Sequence, residues 1–289
     1  MSAEPSRFST GQAPRIYGEV AGEGTPVVLC HGITATRRYV IHGSQALQRS
    51  GHRVVCYDAR GHGESDPAPG GRGYGYPELV ADLESVVAAT VGDGPFVLAG
   101  HSMGAHTAVA YALRHPERLA GLIVIGPVYE GDIPPQALEY WDGLAVALEK
   151  GGVEGFVEFI ARQQGIDPGW RDTVLRFTRE RMLLHRHLGA VVEALRQVPR
   201  SRPFATLGDL ESVQIPALVV ASHDAADPGH PRRVAEDYAE HLPQARLIGE
   251  EVGESPLAWQ GGKLSRAIAA FCAEPAVMER YTRPRAARP

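Results

Sequence analysis

The stretch Pro95-Phe96-Val97-Leu98-Ala99-Gly100-His101-Ser102-Met103-Gly104, continued by small residues from Ala105 to Ala112, decides the fold. The apolar run reads as a buried strand, the small-residue run as a helix, and Gly-x-Ser-x-Gly as the sharp turn joining them, a nucleophile elbow. So tight a turn has no room for bulk two residues either side of the serine, where Gly100 and Gly104 stand. Ser102 is therefore expected in an unfavourable backbone region, with its hydroxyl held at the mouth of a sheet.

Other apolar runs recur on both sides of this one: Pro26 to Cys30, Arg53 to Tyr57, Leu122 to Ile125, Ala217 to Ala221 and Ala245 to Ile248, with a more exposed strand over Arg15 to Val20. Between them lie helical stripes, such as Leu79, Leu83, Val86 and Val87, and Leu264, Ile268, Phe271 and Cys272. Strands alternating with helices predict an α/β fold, a mostly parallel central sheet covered on both faces. From Gly131 to about Gly208 the strand signal stops and helical patterns take over, with Asp167-Pro168 set as N-cap and first residue of one helix. The expected organisation is a core formed by 1–130 and 209–275, an inserted helical cap over 131–208, and a disordered tail over 276–289. The glycine-rich run Gly70 to Gly75 follows no strand and opens no helix at its end, so it is not read as a phosphate loop.

Composition narrows the function classes. The chain has 289 residues, 44% hydrophobic and 22% charged, with a net charge of -5. These values describe an ordinary globular protein with no basic footprint for nucleic acid and no polybasic membrane patch. No window approaches a membrane span and Met1 to Thr10 has no apolar leader core. Three cysteines without pattern, Cys30, Cys56 and Cys272, suggest buried thiols in a reducing, cytoplasmic setting. The expected partner is a small, partly apolar substrate; a homodimer is left open, and neither a metal nor an organic cofactor is implied.

Four motifs resemble the α/β-hydrolase superfamily over roughly Ile16 to Phe271. These are the elbow at Ser102, His31-Gly32 directly after a strand, the stretch Asp58-Ala59-Arg60-Gly61-His62-Gly63-Glu64-Ser65 after the next strand, and Asp224 after Ala217 to Ala221 with Pro228 four residues on. The resemblance implies Ser102 as nucleophile, the backbone amides of Ile33 and Met103 as an oxyanion hole, and Asp224 as the acid that orients the base. Asp227 lies close enough in sequence to compete with Asp224 for that role.

The base departs from the pattern. Where the superfamily places histidine, in the loop after the last strand, this chain reads Val252-Gly253-Glu254-Ser255-Pro256, and no histidine follows His241. Glu254 is expected in the vacated position, near Asp224 and facing Ser102. A displaced histidine is the alternative: His223 or His230 from the acid loop, or His185 or His187 from the cap. His31 and His101 are read as structural, and His42, His52, His62, His106 and His115 as surface or loop residues. Three functions stay open: a serine hydrolase on a small ester, thioester or amide with an atypical or impaired triad; a lyase, isomerase or cyclase on the same scaffold; and a silent small-molecule binder.

Overall fold

The computed structural model describes residues 4–163, 167–223 and 227–282. Its strands are β1 (Ser6–Ser9), β2 (Tyr17–Ala21), β3 (Thr25–Cys30), β4 (His52–Tyr57), β5 (Phe96–His101), β6 (Leu119–Ile125), β7 (Ala217–Val220) and β8 (Ala245–Ile248). They form one sheet among the described residues, in the order β1-β2-β4-β3-β5-β6-β7-β8. β1 and β2 run antiparallel at one edge, and every pairing from β4 through β3 to β8 is parallel. β1 was not expected. Its four residues are mostly exposed and carry no apolar run, so only pairing to β2 makes them a strand.

The helices are α1 (Ala46–Arg49), α2 (Tyr76–Thr90), α3 (Met103–Arg114), α4 (Pro135–Ala161), α5 (Pro168–Met182), α6 (Leu188–Gln197), α7 (Arg232–His241), α8 (Gly261–Cys272) and α9 (Pro275–Thr282). Alternate strand residues feed two cores, as the two-residue period of a strand requires. Val28, Leu98, Val124 and Val219 pack with α2, α3 and α7 on one face. Val27, Val97, Ile123 and Leu218 pack with α8 and α9 on the other. The expected α/β architecture, a mostly parallel sheet sandwiched between helices, is the one observed.

The chain between β6 and β7 holds α4, α5 and α6, which share an apolar core of Leu144, Leu148, Phe156, Met182, Val191 and Leu195. Asp167 caps α5, its carboxylate accepting from the Gly169 amide at 2.7 Å, and Pro168 follows as first helical residue. α5 lies against loops at the C-terminal ends of the strands. Near its start, the Trp170 ring meets that of Trp259 at 6.2 Å, beyond β8. Just past its end, the His185 imidazole pairs with the Thr34 carbonyl at 3.1 Å and accepts from the Gly63 amide at 2.9 Å.

The expected disordered tail needs correction over its first part. Pro275–Thr282 is helix α9, with Val277 fully buried, Arg280 donating to the Leu119 and Pro116 carbonyls, and the Tyr281 hydroxyl donating to the Pro26 carbonyl at 3.1 Å. Residues 283–289 lie outside the described residues.

Candidate active site

Ser102 has φ 53° and ψ -117°, a backbone conformation that a side chain strongly disfavours. Close packing imposes it. A Cβ on Gly100 would overlap the carbonyl of Gly104, and one on Gly104 would overlap that of Cys30, so β5, α3 and β3 meet with no space between backbones. The turn is tied by the Ser102 amide to the Ile125 carbonyl at 2.9 Å and by the His106 amide to the Ser102 carbonyl at 3.1 Å. Ser102 is 9% exposed.

The loop after β3 closes on this turn. A Cβ on Gly32 would stand 3.2 Å from the Ser102 Cβ, which places the chain entering Ile33 beside the serine. Met103 opens α3, so its amide has no acceptor within the helix. Among the described residues, neither the Ile33 nor the Met103 amide donates a hydrogen bond. The Asp-x-Arg-Gly-x-Gly-x-Ser stretch supports this loop from below. Buried Asp58 accepts from the Arg37 amide at 2.7 Å, from the Glu64 amide at 3.0 Å and from the Arg37 guanidinium. Arg60 forms a two-pronged pair with Asp82 at 2.6 and 2.7 Å. The Ser65 hydroxyl donates to the Asp58 carbonyl at 2.6 Å. These charges anchor loops.

Glu254 is not in the vacated histidine position. Its carboxylate is exposed and bonded to Lys263 Nζ at 2.8 and 2.9 Å, which holds its pKa below the usual carboxylate value. The loop turns it outward because a different acid, Glu250, fills the interior. Buried Glu250 accepts from the His223 amide and, at 2.8 Å, from the Leu257 amide, joining the loops that follow β7 and β8. Nothing in the sequence marked Glu250 for that task. Asp224 lies outside the described residues.

A histidine–aspartate pair stands near the elbow instead. His230 Nδ1 is 2.9 Å from Asp227 Oδ2. The His230 ring is 4.9 Å from that of His101, the residue before Ser102, and its Cγ is 3.2 Å from where a Cβ on Gly126 would sit. Gly126 directly follows Ile125, whose carbonyl holds the Ser102 amide, so His230 lies at the strand ends near Ser102. Burial alone would raise the Asp227 pKa, but His230, His101 and Arg181 outweigh it and keep the carboxyl below its usual value. The sequence did contain a signal: Asp227 and Pro231 repeat the spacing of Asp224 and Pro228, with His230 between them.

The other histidines are mostly internal struts. His31, His101, His106 and His185 are each pushed down to about 3, chiefly by burial, and stay neutral. His106 bonds the Tyr76 hydroxyl at 2.9 Å and accepts from the Val128 and Tyr129 amides at 3.0 and 3.2 Å. His31 accepts from the Ala59 amide at 2.9 Å. The expectation of surface or loop positions fails for His52, buried in β4, and His106, buried in α3; His62 is in a loop as expected, though buried there, with Nδ1 3.0 Å from the Arg60 carbonyl. His187 caps no helix with its side chain and is exposed. A groove of about 1050 Å³ opens elsewhere, lined by Glu19, Arg37, Asp58, Glu64 and Arg186, and neither Ser102 nor His230 borders it. Among the described residues no cluster could hold a metal ion, and no helix is long and apolar enough to cross a membrane.

Comparison with known proteins bears on the fold and the family. The chain is 36% identical over 109 residues to epoxide hydrolase B of Mycobacterium tuberculosis, covering 38% of this chain and 30% of that one. It is 34% identical over 115 residues to the sn-1-specific diacylglycerol lipase ABHD11 of Mus musculus, covering 39% and 36%. These matches span about a third of the length of either relative. Among solved structures, a thermophilic esterase from Thermogutta terrifontis is similar with a TM-score of 0.74 at 25% identity, covering 97% of this chain and all of that one. The sequence pattern described as alpha/beta hydrolase fold matches residues 25–254. That match spans most of the described core, and the chain belongs to the alpha/beta hydrolase fold family.

Proposed function

We propose that this protein is a serine hydrolase acting on a small carboxylic ester, thioester or amide, with Ser102 as nucleophile and the His230–Asp227 pair as its base. The observation that carries the reading is that pair, whose imidazole packs on His101 next to the strained Ser102. A hydroxyl needs a base at neutral pH, and neutral imidazole oriented by a carboxylate supplies one. Asp227 binds Nδ1, which leaves the lone pair on Nε2 of His230 to take the serine proton. Ser102 Oγ then bonds to the carbonyl carbon, and negative charge moves to the carbonyl oxygen, where the amides of Ile33 and Met103 are free to donate. The tetrahedral intermediate expels the alcohol, thiol or amine with the proton from His230. Water, deprotonated by the same imidazole, releases the acid from Ser102. The hydrolase names of the relatives and the esterase fold neighbour support the reading.

The test is turnover of 4-nitrophenyl acetate and butyrate by wild type, Ser102→Ala and His230→Gln. Loss of turnover in Ser102→Ala, with a fall of about 10²–10⁴ in kcat for His230→Gln, is expected. Ser102-dependent turnover unaffected by His230→Gln would overturn the assignment of the base.

A further inference from the structure

Arg181 is an unspent cation four residues before His185, whose ring holds the Thr34 carbonyl in the loop after β3. It lies in the last turn of α5, the helix held at one end by Trp170 against Trp259 and, just beyond the other, by His185 on Thr34 and Gly63. These anchors lay α5 across the loops that surround Ser102. The charge of Arg181 is felt by His101 and Asp227 at the elbow, by His42 and Tyr39 after β3, and by Tyr140 in α4. Its Nε is buried with no hydrogen-bond partner, and no carboxylate among the described residues lies within ion-pair distance. Asp227, a buried acid that influences it, spends its contact on His230.

A guanidinium cannot shed its proton at neutral pH, and a buried donor left without an acceptor costs stability. Burial lowers the Arg181 pKa, the expected direction for a desolvated cation. Such an expense calls for a group that arrives from outside. The planar fork of guanidinium matches a carboxylate, accepting two parallel N–H donors. The neighbouring Asp227 carboxylate would repel a second negative charge, which favours a singly charged carboxylate over a phosphate dianion. The hydroxyls of Tyr39 and Tyr140 are uncharged donors that tolerate the same anion.

We propose that Arg181 forms a carboxylate-binding subsite over Ser102, so that the substrate is an ester or amide carrying a second, ionised carboxylate. This deepens the hydrolase reading and rests on Ser102 being the reactive centre.

The experiment measures binding of succinate, glutarate and adipate, and of pentanediamide as the neutral counterpart of glutarate, to the Ser102→Ala protein by calorimetry at pH 7. At least one dicarboxylate should bind about tenfold or more tightly than the diamide, as expected for hydrogen bonds to a charged group. Arg181→Met and Arg181→Gln, each on the Ser102→Ala background, should abolish that preference, and either folded variant suffices. No preference in the parent, or a preference that survives both changes, overturns the subsite. Because the assay omits the nucleophile, it is independent of turnover. Missing Ser102-dependent hydrolysis would overturn the hydrolase reading and leave a measured carboxylate preference standing.

Discussion

His230 Nδ1 and Asp227 Oδ2 lie 2.9 Å apart within a single loop, three residues from one another, so acid and imidazole are supplied by the same turn after β7. An acid and a histidine drawn from separate loops stay aligned only if both loops hold their places. Under the proposed reading one short segment sets the alignment, and the loop after β8 is released from the task.

The first prediction concerns that alignment. Asp227→Asn keeps the size of the side chain but removes the charge that favours Nδ1–H and the developing imidazolium. The kcat for 4-nitrophenyl butyrate should fall by about 10²–10⁴, with KM changed far less, because the lost interaction strengthens only in the transition state. Steady-state kinetics beside Ser102→Ala check it. A kcat within threefold of wild type, on the order of a surface change, would exclude Asp227 as the orienting acid.

Glu254 carries the opposite expectation. Its carboxylate meets Lys263 in solvent, where an ion pair contributes little. Glu254→Gln should leave kcat/KM within about twofold. Glu254→His, for the same reason, should bring no gain, since the new ring would sit outside the pocket. A tenfold rise in Ser102-dependent turnover in Glu254→His would mean that this loop reaches inward.

What could be read from the chain beforehand follows from how local each constraint is. The elbow was legible because sterics within five residues dictate it: Gly100 and Gly104 are needed wherever this turn forms. The sheet was legible because strands buried on both faces are continuous apolar runs, and β1, paired on one edge with a polar sequence, was not. The proposed base was only partly legible: His230 and Asp227 stood among the candidates, but nothing in one dimension ranked them above Glu254 and Asp224. Asp224–Pro228 and Asp227–Pro231 share one spacing, and only the three-dimensional path of the loop brings His230 to His101. Glu254 aligned with the missing histidine in one dimension, yet buried Glu250 ties the loop so that Glu254 faces out. Arg181 gave no sign either, since an arginine on an amphipathic helix is most often a solvated one.

The elbow yields a stability prediction. In Gly104→Ala the added methyl would overlap the Cys30 carbonyl, a backbone atom that cannot rotate away. Forcing β3 and α3 apart should cost about 1–3 kcal/mol or more, read as a lower urea midpoint at unchanged m-value. A variant as stable as wild type would contradict the packing of the turn.

Acid sensitivity should come chiefly from the buried histidines. His31, His101, His106 and His185 titrate near 3 in the folded protein, lowered mainly by burial from 6.5. In the unfolded chain each takes a proton as the pH drops below about 6.5, whereas the folded protein refuses it until about 3. The unfolded state thus binds more protons throughout that window, so stability is greatest above it and declines as pH falls. Each histidine contributes up to about 1.4 kcal/mol per pH unit once well below 6.5, and four together rival the stability of an ordinary domain within two units. Urea midpoints measured from pH 7.5 to 4.5 should therefore be level at first and then fall steeply, with unfolding near pH 5 or below in the absence of denaturant. Replacing His106 with Gln, which keeps a hydrogen-bonding side chain but cannot be protonated, should lower stability at pH 7.5 yet make its fall with pH shallower by about one proton's worth. A midpoint that stays flat to pH 4.5 in wild type, or a slope identical in the His106→Gln protein, would show that these imidazoles are accessible to protons in the folded state.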